Sequence, residues 1–147
     1  MNLDHYSYFA SNDFKDYEFY SIGPKGRIKK VVIFTRVVRE STFYNLAFGD
    51  IDPDTGLLDD TVVTDNNDRD LVLATVASTI NDFSDRYGNH FIYAEGSTPA
   101  RTRLYQISIS ALWDEISETF DVYGFSDGGW HRFEKNVNYA AFFVKRK

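Results

Sequence analysis

The run Tyr17-Glu-Phe-Tyr-Ser-Ile-Gly-Pro-Lys-Gly-Arg-Ile-Lys-Lys-Val-Val-Ile-Phe-Thr-Arg-Val-Val38 decides the fold class. Two stretches rich in β-branched and aromatic residues, Tyr17 to Ile22 and Ile28 to Val38, flank Gly23-Pro24-Lys25-Gly26, whose glycines and proline suit a tight turn. An antiparallel hairpin follows. Along its second strand Ile28, Lys30, Val32, Phe34 and Arg36 share one face, and Lys29, Val31, Ile33, Thr35 and Val37 share the other. Neither set is purely apolar.

Toward the C-terminus the same logic gives a second hairpin, Phe43 to Ile51 and Leu57 to Thr64, joined by Asp52-Pro53-Asp54-Thr55-Gly56. Asn67 or Asp68 then caps a helix reaching Tyr87, where Val72, Val76, Ile80, Phe83 and Tyr87 recur at the spacing of one buried face. Gly88 ends it. Phe91 to Glu95 reads as a short strand. Gly96-Ser97-Thr98-Pro99 opens a second helix, carried by Leu104, Ile107, Ala111, Leu112 and Ile116 to about Phe120. The tail gives Val122 to Phe125, a turn at Gly128-Gly129, a short strand near Trp130 to Phe133 and a closing strand from Tyr139 to Val144. The expected fold is α+β: a mainly antiparallel twisted sheet in the order ββββαβαββ, with room for one extra C-terminal strand, and two helices on one face. One domain covers 1–147, with 1–14 as a loosely ordered N-terminal segment.

The composition agrees with a sheet. Of 147 residues, 17% are aromatic and 43% hydrophobic, enough for one core. Cysteine is absent, which excludes disulfides, thiolate nucleophiles and thiolate metal sites. No apolar run reaches the ~20 residues of a membrane span. Met1-Asn-Leu-Asp-His-Tyr6 lacks the features of a secretory signal, so the expected location is cytoplasmic. A net charge of −6 weighs against indiscriminate binding to DNA or acidic membranes. The charges are unevenly spread, however. Arg27, Lys29, Lys30, Arg36 and Arg39 cluster ahead of an acidic segment running from Asp50 to Asp70.

Two constellations could carry function. In Tyr93-Ala-Glu-Gly-Ser-Thr-Pro-Ala-Arg-Thr-Arg-Leu-Tyr105, a strand passes into a helix start where the amides of Gly96, Ser97 and Thr98, with Arg101 and Arg103, suit a phosphate or carboxylate. The structural alternative is that Ser97 or Thr98 simply caps the helix. In the second constellation, Lys29, Lys30, Arg36 and Arg39 stand beside Tyr17, Tyr20, Phe34, Phe43 and Tyr44, the ingredients of a single-stranded nucleic-acid face. Its alternative is that the rings are core and the cations protect an edge.

Other chemistry finds no motif. Phosphate-loop and dinucleotide signatures are missing, and Gly23 to Gly26 between two strands reads as a turn. Asp50 to Gly56 misses calcium-loop spacing because Thr61 stands where a glutamate is needed. His5, His90 and His131 are scattered. No catalytic residue, metal or cofactor is assigned.

Through Tyr20-Ser-Ile-Gly-Pro-Lys-Gly26, Tyr44-Asn-Leu-Ala-Phe-Gly-Asp50, Val72-Leu-Ala-Thr-Val-Ala77 and Gly96-Ser-Thr-Pro-Ala-Arg-Thr-Arg-Leu-Tyr105, the chain resembles an uncharacterised bacterial family of about this size, over most of its length. That resemblance implies no activity. The four strands followed by a helix are also similar, in topology alone, to Whirly-type and Pur-type single-stranded nucleic-acid binders. The function expected from these readings is a non-enzymatic module that binds a phosphate-bearing partner, single-stranded nucleic acid or a nucleotide. The alternatives are a protein–protein adaptor, homodimeric through an edge strand, and a small enzyme with an unrecognised site.

Overall fold

A computed structural model describes residues 3–59 and 66–147. The elements in chain order are β1 (Phe9–Ala10), β2 (Asp16–Gly23), β3 (Gly26–Val38), β4 (Thr42–Ile51), β5 (Leu58–Asp59), α1 (Arg69–Tyr87), β6 (Ile92–Ala94), α2 (Pro99–Ala111), α3 (Trp113–Thr119), β7 (Phe120–Ser126), β8 (Gly129–Arg132) and β9 (Ala141–Arg146). The strands form one open sheet in the order β1-β2-β3-β4-β6-β9-β7-β8, with β5 paired to β4. The fold is α+β and mostly antiparallel, with three helices among the described residues.

The first hairpin forms as its sequence requires, with Gly23 opposite Gly26 and Lys30 opposite Phe19. Gly26 has φ +90 at the end of the turn, a conformation that glycine adopts without strain. Asn66 fills the hollow of this turn. Its amide donates to Ser21 Oγ and Gly26 O and accepts from Lys25 N. A Cβ on Gly23 would lie 2.1 Å from Asn66 O, so the hairpin must be bare there. Asp68, beside Asn66, accepts from both Tyr6 and Ser21, which spends its carboxylate on tertiary bonds rather than on capping α1.

Several expectations need correction. The second helix is interrupted at Leu112, giving α2 and α3. Ile107 is 39% exposed, while Ile109 and Ile116 are buried. Between α1 and α2, β6 pairs in parallel with β4, Tyr44 opposite Ile92 and Leu46 opposite Ala94. The 19-residue α1 is the crossover that a parallel pair needs. A two-residue β1 precedes the first hairpin, and β9 begins at Ala141 rather than at Tyr139. The second hairpin keeps its turn, with Gly56 N donating to Asp52 O, but only Leu58 and Asp59 of the return strand pair with β4. Residues 60–64 of that expected strand lie outside the described residues.

One sheet face meets the helices. Tyr17, Phe19, Val32, Phe34, Tyr44, Ile92 and Phe142 are nearly inaccessible there. Phe83 of α1 stacks on Phe34 at 4.3 Å and meets Tyr44 edge-on at 4.8 Å. The opposite face carries a second set of rings at cross-strand positions. Tyr93 pairs with Phe143 and Phe143 with Tyr123, and Trp130 lies 4.4 Å from Phe143. Phe43 closes on the same ring edge-on at 5.5 Å. Tyr93, Phe143, Tyr123 and Phe43 are half-buried by one another and by the more exposed Trp130.

Two stability tests follow from this packing. A Cβ at Gly124 would sit 2.2 Å from the buried Tyr139 ring. Gly124→Ala should therefore cost about 1–3 kcal/mol in urea unfolding; an unchanged midpoint would refute the contact. Tyr17 is 1% exposed and its hydroxyl has no partner among the described residues. Burial, reinforced by the charge of Asp82, raises its pKa well above the ordinary tyrosine value. An acid whose folded pKa is raised stabilises the fold below its unfolded pKa, and that stability is lost as pH climbs past about 10. Tyr17→Phe should be neutral or stabilising at pH 7 and should flatten the loss of stability above about pH 10. Denaturant titrations at pH 7 and 10.5 read both effects.

Candidate functional site

The β4–α1–β6 crossover brings the carboxyl ends of two parallel strands together with the first turns of α1 and α2, where open α/β crossovers usually place their ligands. A cavity of about 390 Å³ lies at this position, between the helices and the inner sheet face. Its walls are mainly apolar, with Leu46, Ile80, Ile116, Phe142 and Val144 among them. The ionisable side chains on its lining other than Tyr105 are Lys30, Asp50, Asp68, Arg69 and Arg101.

These charges are unequally compensated. Lys30 Nζ and Asp50 Oδ1 form a buried pair at 2.5 Å, and the lysine lies 5.7 Å from the centre of the Phe48 ring. Asp68 is held by the Tyr6 and Ser21 hydroxyls at 2.7 and 2.5 Å. Burial, then the bond to Asp68, raises the Tyr6 pKa. Arg101 differs. It is 6% exposed, and its Nε and Nη2 have no hydrogen-bond partner among the described residues. Ser108 Oγ, on the same lining, is likewise buried without one. A buried guanidinium edge left unbonded is costly, so it points to something the protein alone does not supply.

The residues expected to form a helix-start anion site are distributed differently. Thr98 Oγ1 accepts from Arg101 N at 3.2 Å, and Thr102 Oγ1 accepts from Gly96 N at 3.0 Å, so both amides already serve the helix start. A Cβ on Gly96 would lie 2.5 Å from Thr102 N, so this corner admits only glycine. Gly96, Ser97 and Thr98 border a second, more polar hollow together with Glu95. Arg103 belongs to that side too, where it donates to Asn138 Oδ1. Nearby, burial and then the bond to Glu95 push the Tyr93 pKa up to about 12. Arg101 and Arg103 are thus divided between two hollows.

The basic strand also divides. Lys29 lies on the outer face, bonded to Glu18 at 3.0 Å, a bond that raises the lysine pKa. Lys30 is on the inner face, buried. Arg36 and Arg39 are exposed, and Arg39 N bonds Ser41 O in the turn that follows β3. Of the accompanying rings, Tyr17, Phe34 and Tyr44 are core, while Tyr20 is stacked under Arg27 at 3.8 Å. Lys29, Lys30, Arg36 and Arg39 therefore do not share one surface.

Sequence reasoning named Arg101 but not the cavity, Ser108 or the Lys30–Asp50 pair. A usable signal was present: Arg101, Leu104, Tyr105 and Ser108 fall at i, i+3, i+4 and i+7, which lays them along one helical stripe. All four line the cavity.

Among the described residues, the geometry defines an α+β chain with a partly open, mainly apolar cavity lined by a buried, unbonded guanidinium edge. The chain belongs to a family of unknown function (DUF6934), whose model matches residues 2–147. No curated protein and no solved structure matches it, so the topological likeness to Whirly-type and Pur-type proteins gains no support. Among the described residues, no helix is long and apolar enough to cross a membrane.

The Lys30–Asp50 pair makes a prediction about the cavity wall. Lys30→Met or Asp50→Leu alone should cost about 3–5 kcal/mol, because each strands a buried charge; the double variant should recover most of that loss. A double-mutant cycle in urea measures the coupling, and simple additivity would contradict the pair.

Proposed function

We propose that this protein is a binding module without chemistry of its own, and that it holds a small anionic molecule in the cavity between the helices and the inner sheet face. One observation carries this reading: Arg101, buried in a mainly apolar cavity, keeps Nε and Nη2 unbonded. The cavity size falls in the range of small-molecule sites, and one placed charge in an apolar surround is their usual pattern. A polymer backbone is a poorer fit, since Arg101 is 6% exposed and Lys29 and Lys30 face opposite ways. This reading keeps an anionic ligand, as expected from the sequence, but sets a small molecule in the cavity in place of a nucleic-acid strand.

A buried cation kept for a ligand burdens the empty protein. Arg101→Met should stabilise the unliganded chain by about 1–3 kcal/mol, or roughly 2–4 °C in Tm per kcal/mol at this size. The same change should weaken binding of 1-anilinonaphthalene-8-sulfonate, an apolar anion whose fluorescence rises on burial, by at least about tenfold, the factor of one charge-assisted bond. A variant that is no more stable and binds the dye as well as the parent would remove Arg101 from the site.

A further inference from the structure

The functional reading above leaves the class of anion open; resting on that reading, the geometry points to a monocarboxylate with an apolar body, and we propose this as the ligand class. Three features lead there.

The first is the donor pair. Nε and Nη2 lie on one edge of the guanidinium plane, and their N–H bonds run parallel, the spacing that the two oxygens of a carboxylate match in a side-on fork. Both atoms are unbonded in Arg101.

The second is the count of charge. Lys30 is neutralised by Asp50, while Asp68 and Arg69 contribute one charge of each sign to the lining. Among the described lining residues, Arg101 leaves one positive charge uncompensated, which one negative charge balances. A phosphate monoester near pH 8 would bring close to two. The neighbouring amides that could hold its extra oxygen are occupied, Gly96 N by Thr102 and Arg101 N by Thr98. A dianion would therefore bury charge without a partner. Ser108 does not add to the head-group site. It stands seven residues along α2, about 10 Å from Arg101 by helix rise.

The third is the wall beyond the anchor. From Leu104 of α2 the lining passes to Ile109, Ile116, Phe120 and Val144. An alkyl chain or flat hydrocarbon body loses its water-exposed surface there, at about 25 cal/mol per Å² buried. The head group is thus fixed by one fork and the affinity grows with the apolar body.

The test uses the intact protein and four probes of equal chain length, decanoate, decyl phosphate, decanol and decyltrimethylammonium, titrated by calorimetry at pH 8 below their micelle thresholds. Decanoate should bind saturably, about tenfold or more tighter than decanol and tighter than decyl phosphate, and the cation should not bind. Octanoate should be weaker than decanoate. Arg101→Lys, which keeps the charge and loses the fork, should reduce the preference of carboxylate over phosphate, and Arg101→Met should reduce the preference of carboxylate over alcohol. If decyl phosphate binds tighter than decanoate in the parent protein, the carboxylate inference falls while the anion-binding reading stands. If decanol and decanoate bind equally, or if no probe binds, both fall. The comparison among probes on the parent protein decides the matter even should a variant misfold.

Discussion

Three residue pairs, Tyr44 with Ile92, Asn45 with Tyr93 and Leu46 with Ala94, hold the two halves of the sheet together. On one side lie β1 to β4, on the other β6, β9, β7 and β8, and within each half the pairings are antiparallel. The joint alone is parallel. Parallel strands cannot be joined by a turn, so α1 must cross over the sheet and return, and this crossing brings Phe83 onto Phe34 and Tyr44. The same crossing sets the starts of α1 and α2 beside the carboxyl ends of β4 and β6. The cavity and the placement of Arg101 beside it both follow from that one topological demand.

The hairpins were legible because turn chemistry and period-two patterning are local signals, and Gly23 to Gly26 carries both. The long α1 was equally plain from its stripe and from Gly88. What stayed hidden was the direction of β6, since three residues, Ile92–Ala94, do not say which neighbour they pair with or how. The break at Leu112 was obscured too. Ser and Ile alternate from Ile107 to Ser110, and only packing decides which isoleucine turns inward. Likewise Lys29 and Lys30 are adjacent letters, and a strand sends adjacent residues to opposite faces. A cluster of cations in sequence need not be a cluster in space.

Arg101 shows how a right residue can be chosen for an incomplete reason. Its place at a helix start drew attention, yet the amides there are taken by Thr98 and Thr102. Its significance comes from burial beside an apolar hollow, a property that depends on the sheet opposite and on α1, both far away in sequence. The Lys30–Asp50 pair is another feature of this kind. Its partners sit on neighbouring strands, and only their register puts the two side chains together.

The sheet order ends in β1, two residues long, and β8, four residues long. β3 is bordered on both sides along much of its length, but β2 meets β1 only at Tyr17 and Glu18, so its stretch from Phe19 to Gly23 keeps an open row of backbone donors and acceptors at the margin. Arg132 closes β8 with a charge, and Phe9–Ala10 leaves room for little more than one pair of bonds. Tyr6 covers part of the open stretch of β2, its hydroxyl accepting from Ile22 N. The rest of that margin is where the backbone of this aromatic-rich sheet stays open to an added strand.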